Sequence, residues 1–169
     1  MKYFNGFSLQ KEEIFFSEYT DNSDFCVAGF SYGANRAFDY VYSSKTKVDR
    51  LILISPAFFQ NQKRSFVRTQ LRYFEAGKEA YVEQFLKNVT YPSSLNVSEY
   101  LKVGTQEELN ALLNYKWNES KIREVLKRGT SIEVFLGEED KIVDTKLALD
   151  FFEPLVTSYF IKGVGHMLK

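Results

Sequence analysis

A serine between two glycines, the sole histidine, and a carboxylate just beyond a strand-like run are the residues of this sequence best suited to chemistry. Ser31 lies in Gly29-Phe30-Ser31-Tyr32-Gly33, within FCVAGFSYGANRAF (residues 25–38). By itself G-x-S-x-G describes no more than a small-residue turn with an incidental serine. Here an apolar run leads into it and a helical pattern leads out, which is the context of a nucleophile elbow. A side chain at position 29 or 33 would collide with the neighbouring strand or helix in so sharp a turn. A strained backbone at Ser31 would push its hydroxyl outward at the carboxyl edge of a sheet. It would also stand at a helix N-terminus, where N–H groups and the helix dipole favour developing negative charge.

A hydroxyl is a poor nucleophile until a base removes its proton. His166, in GVGHML just past the last strand-like run, is placed to be that base. The imidazole needs a carboxylate to fix its tautomer and stabilise its charged form. Asp140, in GEEDKIVD, follows the run IEVFLG at the same edge; Glu138, Glu139 and Asp144 are rivals, each also readable as part of a solvated turn. Asp140 is preferred because the GEED turn brings it back over the sheet, and because KIV can pack and hold the loop.

The elements that must position these groups are short runs of branched and aromatic residues: MKYFNGF, DFCVAGF, RLILISPAF, SIEVFLGEED and SYFIKGVGH. Each ends in Gly, Pro or a polar turn, so each reads as a strand. Their nearly continuous apolar character suits strands covered on both faces, and helical patterns separate several of them. The expected class is α/β, with a mainly parallel sheet of about five strands. One domain spans residues 1–169. Between LILISPAF and SIEVFLG, about residues 59–128, lies a helical insertion of about seventy residues where a simple crossover needs about a dozen. It contains RSFVRTQLRYFEAGKEAYVEQFLKNV, TQEELNALLNYKW and ESKIREVLKRG, broken at YPSSLNVSEY, and is expected to form a lid.

Composition narrows the function. Lys plus Arg and Asp plus Glu balance at 22 each, so no global field draws nucleic acid or a membrane surface. The single cysteine, Cys26, sits in an apolar run and reads as a buried thiol in a reducing compartment. No window of about 18 apolar residues occurs, and the expected location is the cytoplasm. Aromatics make up 17% of the chain, enough for a rich core and also enough to line an apolar cleft. Arg64, Arg68 and Arg72 recur every four residues and align on one helix face with Lys63 nearby. That face is either merely solvated or a basic ridge for a phosphate or an acidic protein.

The chain order Ser31, Asp140, His166, with GFSYGA, FLGEEDKIVD and GVGHML each after a strand, resembles the α/β-hydrolase family. FNGFS resembles that family's oxyanion loop, with Asn5 in place of its usual histidine. The resemblance implies oxyanion donors at the backbone N–H groups of Phe7 and Tyr32. The front of the chain departs from the family: between YFNGF and DFCVAGF there is room for one short crossover, apparently KEEIFFSEY, so the fold would be a minimal version. In layout the chain is similar to the short pimeloyl-acyl-carrier-protein methyl ester esterases of biotin synthesis found in some epsilon-proteobacteria. That resemblance implies hydrolysis of a pimeloyl methyl ester held on acyl carrier protein, with Arg64, Arg68 and Arg72 holding the carrier or its phosphate. No cofactor and no metal are expected, and the protein is expected to be a monomer or homodimer. Two other readings use the same residues: a general small-acyl carboxylesterase or thioesterase, and a non-catalytic acyl-binding protein. A haloalkane or epoxide hydrolase would want an aspartate at position 31.

Overall fold

A computed structural model describes the whole chain, Met1–Lys169. Five parallel strands, β1 (Lys2–Phe4), β2 (Cys26–Phe30), β3 (Arg50–Ile54), β4 (Ser131–Gly137) and β5 (Thr157–Ile161), form one sheet in the order β1-β2-β3-β4-β5. The five strand-like runs are therefore the five strands, and no antiparallel strand joins them. Crossovers that all advance in one direction and are right-handed place their helices on the same face. Three helices do so here: α1 (Tyr32–Ser43) after β2, α5 (Glu119–Lys127) before β4, and α6 (Thr145–Phe152) after it.

Strand periodicity divides the core in two. Val27, Leu51, Leu53, Val134 and Leu136 face the helices, joining Phe38 of α1, Val125 of α5 and Phe152 of α6. The alternate residues Cys26, Ala28, Phe30, Ile52, Ile54 and Phe135 face the other way. That second face is covered by Phe16 of a short 3-10 helix (Glu12–Phe16), by Val89 and Val97, and by the terminal Met167 and Leu168. The segment KEEIFFSEY thus supplies a single turn of helix rather than a full crossover helix. Cys26 is a buried free thiol.

The β3–β4 connection carries α2 (Arg64–Ala76), α3 (Lys78–Thr90), α4 (Gln106–Asn114) and α5. The long pattern RSFVRTQLRYFEAGKEAYVEQFLKNV is two helices, not one, because Gly77 is a poor helix former and its backbone is extended there. α2 packs on α3 and α4, whereas α5 packs on α1. Of the insertion expected as a lid at about 59–128, α2–α4 thus stand apart, and α5 belongs to the layer that covers the sheet. No helix is long and apolar enough to cross a membrane.

Trp117 fastens the lid's far end to this layer. Its indole N–H donates to the Ala57 carbonyl at 3.0 Å, and its ring meets Phe38 at 5.3 Å and Phe152 at 4.9 Å. Trp117→Ala removes a buried aromatic and leaves that carbonyl unpaired, so it is expected to lower the unfolding free energy by about 3–5 kcal/mol. Urea denaturation of the two proteins checks this, and a loss below about 1 kcal/mol would mean that Trp117 is not a major anchor.

Candidate active site

β2 runs directly into α1 through Ser31, whose φ of 54° and ψ of −117° place a non-glycine residue in a region that favours glycine. Holding it there costs about 1–3 kcal/mol. The turn is over-determined: Ser31 N–H donates to the Ile54 carbonyl at 2.9 Å, while its own carbonyl accepts from Ala34 and Ala57 N–H at 3.1 Å each. The flanking glycines are required by close packing. A Cβ on Gly29 would lie 2.3 Å from the Gly33 carbonyl oxygen, and one on Gly33 would lie 1.9 Å from that of Phe4.

The loops after β4 and β5 bring the other two groups to this turn. His166 Nε2 lies 2.9 Å from Ser31 Oγ, and His166 Nδ1 lies 2.5 Å from Asp140 Oδ2. The His166 and Asp140 side chains have no exposed surface. A carboxylate on Nδ1 fixes the proton there, leaving Nε2 as the acceptor for the serine hydroxyl. Asp140 is itself held, because its Oδ1 accepts from Ile142 N–H at 2.6 Å and Val143 N–H at 3.1 Å. The KIV segment therefore orients the carboxylate through its backbone. The rival acids are engaged elsewhere or not at all with the histidine: Asp144 caps α6 by accepting from Leu147 N–H, and Glu138 accepts from Gly163 N–H.

Ser55 is a contact of the His166 loop that sequence reasoning missed. It is fully buried just after β3, and its hydroxyl donates to the His166 carbonyl at 2.7 Å. Nothing in RLILISPAF distinguishes it from a turn serine, because its partner lies 111 residues away.

The two N–H groups expected to receive an oxyanion are free of protein acceptors. Tyr32 N–H opens α1, where the first turn leaves its donors unpaired. At the NGF loop the Gly6 carbonyl accepts from Leu9 N–H, so across the trans peptide Phe7 N–H is turned the opposite way. Asn5, in place of a histidine, accepts Lys11 N–H through its side chain at 3.1 Å. The loop is also tied to the lid connection, since Ser8 accepts Gly104 N–H on its hydroxyl and Lys102 N–H on its carbonyl.

Ser31 is only 4% exposed. Phe7 contacts α2 through Phe74 and α3 through Phe85, with ring centroids 6.0 and 5.5 Å apart. Beside this contact is a cleft of about 370 Å³ between the lid helices and the Asp140 loop, walled by Phe59, Phe66, Phe85, Leu112 and Ile142. Gln62, Gln70, Gln84, Asn88 and Lys141 add polar groups to it. A larger groove of about 450 Å³ lies on α3 and residues 95–103; neither it nor the cleft is lined by Ser31, Asp140 or His166. Arg64, Arg68 and Arg72 are all exposed on α2 and pair with no carboxylate. No group of His, Cys, Asp and Glu is arranged to hold a metal ion.

No family model matches the chain, and no curated protein matches it. Its structure is similar to that of MenH from S. aureus, at 17% identity and a TM-score of 0.64, covering 97% of this chain and 85% of that one. It is also similar to carboxylesterase CesB from Bacillus subtilis, at 17% identity and a TM-score of 0.57, covering 93% and 57%. An α/β-hydrolase fold protein from Burkholderia ambifaria matches at 15% identity and a TM-score of 0.57, covering 84% and 59%. The chain thus spans less than two thirds of the latter two proteins. It has the α/β-hydrolase fold, with five strands.

The elbow strain is directly measurable. Ser31→Gly is expected to raise the unfolding free energy by about 1 kcal/mol, because glycine adopts positive φ at little steric cost. Gly33→Ala, which drives a methyl into the Phe4 carbonyl, is expected to prevent folding. Chemical denaturation checks both, and a destabilised Ser31→Gly would contradict a strained elbow.

Proposed function

We propose that this protein is a serine carboxylic ester hydrolase, and that its substrate is a methyl ester at the end of an acyl chain presented on a carrier protein. The observation that carries the hydrolase reading is the relay from Asp140 through the sole histidine to Ser31, with both hydrogen bonds within 2.9 Å. In the first half-reaction Ser31 Oγ attacks the ester carbonyl while His166 Nε2 takes its proton. Charge gathers on the carbonyl oxygen, where Phe7 and Tyr32 N–H are the available donors. The C–O bond to methoxide then breaks, and His166 passes its proton to the departing methanol. Water attacks the acyl-enzyme with His166 again as base, and release of the carboxylic acid restores Ser31.

Two features support the carrier-linked substrate. The aromatic cleft beside the Asp140 loop suits an extended acyl chain, and its amide side chains suit a polar tether. The three unpaired arginines of α2 offer an acidic carrier or its phosphate a row of bidentate partners. The proposed substrate is pimeloyl methyl ester on acyl carrier protein, the one that the resemblance in layout implies. CesB, one of the similar structures, is a carboxylesterase, in keeping with ester chemistry on this fold.

Ser31→Ala is expected to lower kcat/KM for p-nitrophenyl butyrate by about 10⁴-fold or more while keeping the fold. Retained turnover in that variant would contradict the triad. Reversing Arg68 and Arg72 to Glu is expected to raise KM for the carrier-linked methyl ester by about 10-fold or more and to leave the p-nitrophenyl ester unaffected. Equal effects on both substrates, or no preference of the wild-type protein for the carrier substrate, would instead indicate a general esterase.

A further inference from the structure

We infer that Glu12 is a positioning residue for ester hydrolysis, holding the oxyanion loop through Gly6 N–H; this rests on the hydrolase reading above. Gly6 N–H donates to Glu12 Oε1 at 2.6 Å, and Glu12 is fully buried. The bond reaches the residue immediately before Phe7, and the Gly6 carbonyl is fixed from the other side by Leu9 N–H. With both ends of Gly6 held, the Gly6–Phe7 peptide plane, and hence the direction of Phe7 N–H, has little freedom.

The contact belongs to a reciprocal clamp. Lys11 N–H donates to the Asn5 side chain while the Glu12 side chain accepts from Gly6 N–H, so two adjacent residues grip two adjacent residues. The clamp stands on a rigid base, because Glu12 opens the 3-10 helix whose Phe16 is fully buried against Phe30 at 4.8 Å. Phe30 directly precedes Ser31, so loop and nucleophile share one support.

The surroundings of the carboxyl favour its neutral form. Glu12 Oε2 is buried and has no hydrogen-bond partner. The groups that face Glu12 are the Tyr3 hydroxyl of β1, 3.4 Å from Oε1, and the neighbouring acid Glu13; no Lys, Arg or His forms an ion pair with it. An ionised carboxylate there would be poorly solvated and unpaired. Burial accordingly pushes its pKa up to about 7, Glu13 adds to the rise, and Gly6 N–H opposes it. Above that pH a buried negative charge lies behind the loop that must receive an oxyanion, and like charges oppose each other.

The test compares wild type, E12Q and E12L. Gln keeps a carbonyl oxygen for Gly6 N–H but cannot ionise; Leu removes the acceptor. The readouts are kcat and KM for p-nitrophenyl butyrate from pH 5.5 to 9, the rate at which a fluorophosphonate labels Ser31, and thermal melting at pH 5 and pH 8. E12L is expected to lose about 10- to 100-fold in kcat and in labelling rate, with KM changed by less than about 3-fold, as for a misplaced oxyanion donor. E12Q is expected to match wild type near pH 6 and to lack the wild type's fall in kcat as pH passes about 7. Because the folded pKa lies above the unfolded one, the neutral carboxyl's stabilisation is complete below about 4.5 and lost as pH rises to about 7. E12Q should therefore gain melting temperature relative to wild type between pH 5 and pH 8.

Wild-type kcat and labelling in a folded E12L would overturn the positioning role alone. An alkaline limb that persists unchanged in E12Q, with no widening of the melting difference, would overturn the neutral form. Failure of the wild-type protein to label at all would overturn the hydrolase reading and this role together, a different result from either.

Discussion

His166 and Asp140 approach to 2.5 Å with neither side chain exposed, and most of the molecule can be understood as the means of keeping that pair aligned and dry. Burying an imidazole and a carboxylate is costly unless every lone pair and proton is matched. The matching here is largely backbone: Ile142 and Val143 N–H hold the second carboxylate oxygen, and Ser55 holds the His166 carbonyl. These donors come from just beyond two different strands, β4 and β3, which is possible because a parallel sheet delivers all its carboxyl ends to one edge. The five-strand sheet therefore brings together Ser31 after β2, Ser55 after β3, Asp140 after β4 and His166 after β5.

The lid and the loop that follows β1 complete the enclosure. Phe7 is the link, with its ring packed on α2 and α3 and its N–H free of any protein acceptor. A displacement of the lid is thus mechanically connected to the group expected to stabilise charge. Ser31 is itself nearly inaccessible.

The strands, the elbow and the histidine loop were legible because each is specified locally. Gly29 and Gly33 flank a serine at a strand-to-helix junction, and their role follows from the absence of space for a Cβ. Asp140 was legible by position but not by proof, because Glu138, Glu139 and Asp144 share its neighbourhood and only a distance separates them from it. Ser55 and Glu12 were not legible. The first acts on a carbonyl far along the chain, and the second reads as one of a pair of surface acids in KEEIFF until the fold buries it. Gly77 splits a pattern whose helical periodicity continues on both sides, so composition there outweighed periodicity. The alignment of Arg64, Arg68 and Arg72 was plain from their spacing, whereas what they meet depends on a partner that the sequence does not name.

Covalent acylation of Ser31 can be read by rapid quenching of the wild-type protein with p-nitrophenyl butyrate and mapping of the modified peptide by mass spectrometry. A butyryl adduct is expected on the peptide containing Ser31, formed together with a burst of about one nitrophenolate per protein. Turnover with no adduct, or an adduct on another residue, would contradict acylation at Ser31.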